Sequence, residues 1–360
     1  MSNTHDKLEA CQRWTTYGLE ICRYAKQKLG AHPGTVMRTT VFAASLALLA
    51  AIGTATAQTF PARPMTLVVP FGAGGPVDTL ARILSERMRT PLGHNVIVEN
   101  VTGASGTIGV GRVVRAAPDG YTISIGNWPT HVVNGAMFAL QYDLIKDLEP
   151  VTLMTTNPYV VLARKDHPAK DLKELVAWLK ANPGKASQGT GGSGSGQHIS
   201  GVYFQKATET QFNFVPYRAG SVDIIKDMAG GHIDITFDQA ITALSHVKGG
   251  TVKAFAVTQK DRLAAAPEIP SVDEMGAAGV YIATWTGLWV PTGTPKDAIS
   301  KLNAAAREAL ADPAIAKRLS ELGQVIFPAE QQNPTGLAAH HKAEIDKWWP
   351  IIKAAGIKPE

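Results

Sequence analysis

Residues 65–78 read MTLVVPFGAGGPVD, and residues 189–198 read GTGGSGSGQH. In the first stretch a short apolar run, Met65 to Val69, passes through a glycine-rich turn into a segment with Leu80, Ile83, Leu84 and Met88 on one helical face. Glycines let backbone N–H groups approach a ligand. The helix behind them presents unpaired donors and the positive end of its dipole, a combination that binds anions. Pro76 suits the first turn of that helix, where its missing N–H costs nothing. The second stretch repeats the arrangement before a helical segment running to about Gln205. Two such turns, about 120 residues apart, point to an anion held between two lobes.

Around them, short β-branched runs alternate with amphipathic segments. Val96 to Val98, Tyr121 to Ile125, Val151 to Met154, Val160 to Ala163, Phe212 to Val215, Ile233 to Phe237, Ala254 to Val257 and Leu288 to Val290 read as strands. Asp171 stands three residues before Glu174, and Ser271 three before Glu274, the capping-box spacing. Ser221 caps a helix through Met228. Helices are expected from Pro295 to about Ala311, Pro313 to Leu322 and Pro334 to about Ala355. The alternation predicts α/β layers with largely parallel sheets.

Near the N-terminus, Met37 and Arg38 precede an unbroken apolar run, Val41 to Ile52, and Ala55-Thr56-Ala57 follows as a small-x-small site. This is the pattern of an export signal cleaved before Gln58, with Met37 as the expected start. Its 12 residues fall short of the roughly 20 needed to span a bilayer. Both cysteines, Cys11 and Cys22, precede Met37, so the exported chain is expected to rely on an ordinary hydrophobic core. Residues 1–57 hold six of the 35 Lys/Arg and three of the 30 Asp/Glu, leaving the remainder at a formal net charge of +2. That balance does not point to nucleic acid. About 300 remaining residues exceed one typical core, and two domains are expected.

Enzyme signatures are weak. Residues 189–194 satisfy G-x-G-x-x-G, but the run follows a poor strand, and Glu209 precedes the next strand instead of ending it, so a dinucleotide site is not indicated. No P-loop, no central-serine G-x-S-x-G and no H-E-x-x-H occurs. A Ser195, His198 and Asp238 set could be assembled for a secreted hydrolase, as it could in any chain of this size. His340, His341 and Glu344 read as a solvated helix face. No metal or cofactor is expected.

The strand followed by PFGAGGPVD, then VENVTGASGTIG (98–109), resembles the opening of the tripartite tricarboxylate transporter substrate-binding proteins, the Bug receptors. The resemblance continues through GSGSGQH (192–198), VPYRAGSVDIIKDMAGGHIDITFD (215–238) and WTGLWVPTGTP (285–295). It implies a type II periplasmic-binding-protein fold, with two α/β domains flanking a ligand cleft. Residues 58–154 and 285–360 would form the first domain and 155–284 the second, after the extension and signal in 1–57. It implies a monomeric periplasmic protein that passes a small carboxylate to integral-membrane transporter subunits; a ligand-sensing role shares the same binding physics.

Carried over, the first loop contributes Phe71, Gly72, Ala73, Gly74, Gly75 and Asp78, with Asp78 organising its loop in preference to touching an anion. The second contributes Ser193, Gly194, Ser195 and His198, the histidine either contacting ligand or bracing the loop. Tyr217 and Asp238 are expected at strand ends facing the cleft. Ala219-Gly220 replaces the family's usual glycine after the arginine of PYR, which bears on local loop shape. Asn127, Trp128 and Trp285 stand where members vary; indoles on the cleft wall would favour a flat or aromatic acid, while plain packing is the commoner fate of a tryptophan in a chain of this size. Citrate-like acids, dicarboxylic amino acids, nicotinate-like rings and terephthalate-like diacids all remain open.

Overall fold

The structure, a computed structural model, describes residues 60–217 and 221–357. The export-signal reading, Met37, both cysteines and Ala219-Gly220 lie outside the described residues.

The first glycine turn joins β1 (Met65–Val69) to α1 (Pro76–Leu92). Then come β2 (Val96–Asn100), α2 (Thr107–Val114), β3 (Thr122–Asn127) and the short α3 (Asn134–Met137). The long β4 (Leu148–Arg164) precedes α4 (Leu172–Ala181), β5 (Ser187–Thr190) and, after the second glycine turn, α5 (Gly196–Thr208). Next follow β6 (Asn213–Pro216), α6 (Ser221–Ala229), β7 (Ile235–Gln239), α7 (Ala240–Lys248) and β8 (Val252–Val257). The chain closes with β9 (Ala283–Pro291), α8 (Lys296–Ala311), α9 (Pro313–Glu321), β10 (Val325–Ile326) and α10 (Pro334–Ala354).

Local chemistry explains most of these limits. Asp171 accepts from the Glu174 N–H at 2.9 Å, and Leu172, Leu175 and Leu179 of α4 are buried. Asp312 and Asn333 cap α9 and α10 in the same way, each before a proline. Ser271 also accepts from the Glu274 N–H, at 3.3 Å, but only a turn forms there.

Parallel pairing between strands forms two wings, β2-β1-β3 and β7-β5-β6, with one isolated parallel bridge from Val257 to Ser271. The middle is antiparallel: β9 pairs with β3 and β4, while β7, β8 and β10 pair with β4. The sheets are therefore mixed, because the strands that run between the wings travel against them. The expected strands at 151–154 and 160–163 are one strand, β4, which continues through Pro158. Leu148 to Pro158 pair with β9, and Tyr159 to Ala163 pair with β7. Pro158 sits where the strand changes partner, so its missing N–H interrupts neither ladder.

Core side chains follow the same division. Val69, Ile83, Leu84, Ile123 and Leu302 pack together under α1 and α8, and Val160, Ile224, Met228 and Leu244 pack between β4, α6 and α7. A third cluster gathers Trp128, Trp285, Trp289 and Trp348 with Leu153 and Phe237. Among the described residues no helix is long and apolar enough to cross a membrane, and no group of three or more His, Cys, Asp or Glu side chains could hold a metal ion.

Candidate functional site

The first glycine turn is held from behind and open in front. Asp78, 2 % exposed, accepts from the Gly74 N–H at 2.8 Å and Arg82 Nε at 2.9 Å on one oxygen, and from Asn100 Nδ2 at 2.9 Å on the other. Asn100 also donates to the Phe71 carbonyl at 3.0 Å, which ties the turn to β2. The Arg82 hydrogen bond, chiefly, holds the Asp78 carboxyl down to about 2. Gly74 has φ +82°, a conformation that suits glycine. The N-cap of α1 is Gly75, with no side-chain cap. The amides of Gly72 and Ala73 meet no acceptor among the described residues. The turn thus presents backbone donors at a helix N-terminus, with its own acid turned to the rear.

The second turn differs. Gly191 N–H donates to Gln197 Oε1 at 3.1 Å, Gly192 N–H to Thr190 Oγ1 at 3.3 Å and Ser195 N–H to the Gly192 carbonyl at 3.1 Å. Ser195 Oγ caps α5 by accepting from His198 N–H at 3.2 Å, and His198 Nδ1 accepts from Gly194 N–H at 3.1 Å. The histidine ring stands edge-on to Phe214, braced within the turn. Most of this loop's amides are therefore taken up inside it. The two turns match in sequence but not in what they offer.

The front of the first turn opens on a cleft of about 440 Å³. Phe71, Gly72, Ala73, Gly75, Pro76, Val77 and Leu80 form one side. Asn127 and Pro129 follow β3, Asn157 comes from β4, Thr284 and Thr286 from β9, and Gln239 and Gln324 complete the lining. None of these side chains carries a charge. Asn127 Oδ1 accepts from the backbone and hydroxyl of Thr130. Asn157 pairs with Thr284 across β4 and β9, where β4 is about to change partner. Ser193, Gly194, Ser195, His198, Tyr217 and Asp238 are not among the lining residues.

Of the two readings of the indoles, the structure shows packing. Trp128 is 0 % exposed and packs edge-on against Trp348. Trp285 is 2 % exposed, and its Nε1 donates to Glu344 Oε2 at 3.1 Å, which also accepts from Trp348 Nε1. Both rings are core, because α10 covers this part of the sheet. His340, His341 and Glu344, read as a solvated face, pack inward with them: His341 Nε2 lies 2.6 Å from the His131 carbonyl, and the His340 ring sits on Trp285 and Phe327. Burial, chiefly, pushes His340 down to about 4.

Asp238 is the penultimate residue of β7, nearly fully buried. Its Oδ1 accepts from Ser221 Oγ at 2.8 Å and from the Gln239 N–H at 2.9 Å, while Oδ2 has no partner. Burial raises its pKa. Gln197 Nε2 donates to Ser221 Oγ, so this network ties the second turn to β7. Tyr217 donates its hydroxyl to Asp227 at 2.7 Å. The Ser195, His198 and Asp238 set is not assembled as a triad: His198 Nδ1 accepts from Gly194, and Asp238 holds Ser221.

The reading of motifs missed Asn157, Thr284, Thr286, Gln239, Gln324 and Pro129. Gln239 had a signal, since it follows Asp238 at a strand end. Asn157-Pro158 lies between two apolar runs, near the expected domain boundary, and the two runs read as separate strands are one.

A family model described as "Tripartite tricarboxylate transporter family receptor" matches residues 80–357. Among solved structures, the periplasmic binding protein BugD is 36 % identical, with a TM-score of 0.70 over 84 % of this chain and 100 % of its own. MatC from Rhodopseudomonas palustris with bound malate is 35 % identical, with a TM-score of 0.70 over 81 % and 100 %. A second R. palustris protein, solved with adipate, is 29 % identical, with a TM-score of 0.72 over 84 % and 100 %. The fold is that of a two-lobed periplasmic binding protein, as expected.

Proposed function

Since the chain belongs to the tripartite tricarboxylate transporter receptor family, we propose that it captures a small carboxylate in this cleft, in the periplasm, and delivers it to integral-membrane transporter subunits. The observation that carries the reading is the uncapped N-terminus of α1, with the Gly72 and Ala73 amides open beside a cleft that has no charged lining. A carboxylate seated there would meet oriented N–H donors and the positive end of a helix dipole. Phe71, Pro76, Val77, Leu80 and Pro129 supply apolar surface for a short carbon chain. The malate and adipate held by relatives fit the same chemistry.

In this proposal residues 58–154 with 285–360 form one lobe and 155–284 the other, joined where β4 and β9 cross. A ligand touching both lobes favours the state in which they meet. The second glycine turn, with Ser193, Gly194, Ser195 and His198, closes from the other lobe as a rigid wall offering side chains more than amides; Tyr217 and Asp238 support it. Asn127 presents its amide nitrogen from beside the first turn. No cofactor enters, and the export signal at 37–57 directs the chain outward.

A thermal-shift screen of the refolded, ligand-stripped protein against aliphatic and aromatic carboxylates tests this. A ligand at 100 times its Kd adds about 2.7 kcal/mol of stability. No shift with any carboxylate would sink the reading, and turnover of a substrate would replace it with an enzyme.

A further inference from the structure

Asn127 ends β3 where it lines the cleft, 4 % exposed, and one end of its carboxamide is fixed. Its Oδ1 accepts from the Thr130 N–H at 3.2 Å and from the Thr130 hydroxyl at 3.0 Å. A backbone N–H can only donate, so the atom it meets is the amide oxygen, and Nδ2 is the atom turned away. Thr130, 0 % exposed, is held in turn: its Oγ1 accepts from the Asn127 N–H at 3.1 Å and stands 2.9 Å from His131 Nδ1. Asn127 Nδ2 has no acceptor among the described residues, and it is not one of the side-chain atoms sealed from solvent. A nearly buried amide thus keeps its N–H groups for whatever fills the cleft. Gln239 and Gln324 line the cleft too, but among the described residues no backbone group fixes which end of either side chain faces a ligand.

We propose that Thr130 is a positioning residue that locks Asn127 with its nitrogen toward the ligand. This point of the cleft then reads acceptors only: a ketone or a second carboxylate, not an ammonium. The inference rests on the carboxylate reading above and deepens it, by saying what the rest of the acid must carry. With one carboxylate at the α1 turn, an oxygen arriving at Asn127 meets a donor already in place. An ammonium there would set donors against donors, and no lining side chain carries a negative charge to replace its lost hydration. Turning the amide over would offer Oδ1 instead, but it would press NH2 against the Thr130 N–H. The hydroxyl strengthens the lock, because it bonds Oδ1 and also ties the Asn127 N–H into the same turn.

Matched acids titrated calorimetrically into the refolded, ligand-stripped protein test it. Succinate, glutarate and adipate are compared with 3-aminopropanoate, 4-aminobutanoate and 5-aminopentanoate, and 4-oxopentanoate with pentanoate as the pair of equal charge. In at least one set the diacid should bind at least about ten-fold more tightly than its amino partner, and the ketone more tightly than pentanoate. Asn127→Asp keeps an oxygen for Thr130 and puts a second where Nδ2 stood, so the preference should pass to the amino partner. A diacid preference that survives in that variant would mean that Nδ2 does not meet the ligand, and would overturn the assignment. Thr130→Val should weaken the diacid about three- to ten-fold and the amino partner far less, with Thr130→Ser restoring the wild-type ratio. Equal losses for both ligands would make Thr130 purely structural; Thr130→Ala gives the same reading should the valine variant not fold. Should Asn127→Asp not fold, the ketone decides: pentanoate binding as well as 4-oxopentanoate means that no donor is read. Amino partners binding the wild type as well as the diacids would end this inference and leave the carboxylate reading standing. If no acid in any set binds, both fall.

Discussion

Replacing Asp78 with Asn should loosen the first glycine turn and lower stability by about 2–4 kcal/mol at neutral pH. Both carboxylate oxygens are in use, one by Gly74 and Arg82 and the other by Asn100. An amide accepts on one side only, so its NH2 must face a donor. Asn100 cannot turn over to help, because its Nδ2 also holds the Phe71 carbonyl and its Oδ1 accepts from Arg82. One unmatched bond costs about 1–3 kcal/mol. The ion pair adds little, since Arg82 is half exposed and screened. Loss of an acid from the first helical turn contributes about 0.3–1 kcal/mol.

The pH dependence gives a second reading of the same group. With the folded-state pKa held down to about 2 against 3.8 for the free group, the wild-type advantage is complete above about pH 4 and is lost as pH falls through 2. Urea unfolding of both proteins at pH 7 and pH 3 should show their difference shrinking by about half of its charge-dependent part at pH 3. Affinity for the carboxylate found in the screen should drop about ten-fold, as the Gly74 amide is released and the turn loses its shape. A difference below about 0.5 kcal/mol at pH 7, or one that is unchanged at pH 3, refutes the account of the turn.

Three further outcomes are expected. Trp285→Phe should cost about 1–3 kcal/mol, because Glu344 loses one of two indole donors in a buried setting, yet calorimetric affinity for the ligand should stay within two- to three-fold; a larger loss would return the indole to the cleft. Asp238→Asn keeps the acceptor used by Ser221 and Gln239 and removes a buried charge, so urea unfolding at pH 7 should show unchanged or slightly higher stability. As pH falls through the raised folded-state pKa the wild type takes up its proton and the gap should close; a marked loss at pH 7 contradicts this. His340, held down to about 4 by burial, should account for about 2 kcal/mol of the stability the wild type loses between pH 7 and pH 5, beside the parts from buried His131, His167 and His341, since the unfolded chain takes up each proton first. His340→Leu, which sacrifices no Nε2 hydrogen bond, should remove that share and leave a shallower slope, as melting curves across the range would show.

The turn at 70–78 was readable because its chemistry is local. Glycines, a proline at the first helical position and an acid two residues later act within a few ångströms of one another, and the structure keeps them so. The role of Asp78 as organiser followed from charge alone. The tryptophans kept two readings because exposure is decided elsewhere: α10 covers the Trp285 ring and supplies Glu344, 59 residues along the chain, to its N–H. The second glycine turn misled. Its spacing resembles the first, but whether its amides point outward depends on Gln197, Thr190 and His198 folding back onto it.

What the sequence by itself determined was the alternation of strands and helices, the helix caps, the family and the glycine turn that opens α1, all set by residues close along the chain. Only the tertiary structure decided that β4 runs through Pro158 into a second sheet, which bare indoles become core, and which donors remain open. It also brought Asn157 beside Thr284, 127 residues away in the chain. These outcomes depend on which distant group arrives to cover a ring or take a hydrogen bond, and pairing across such distances leaves no period or spacing in the residues themselves.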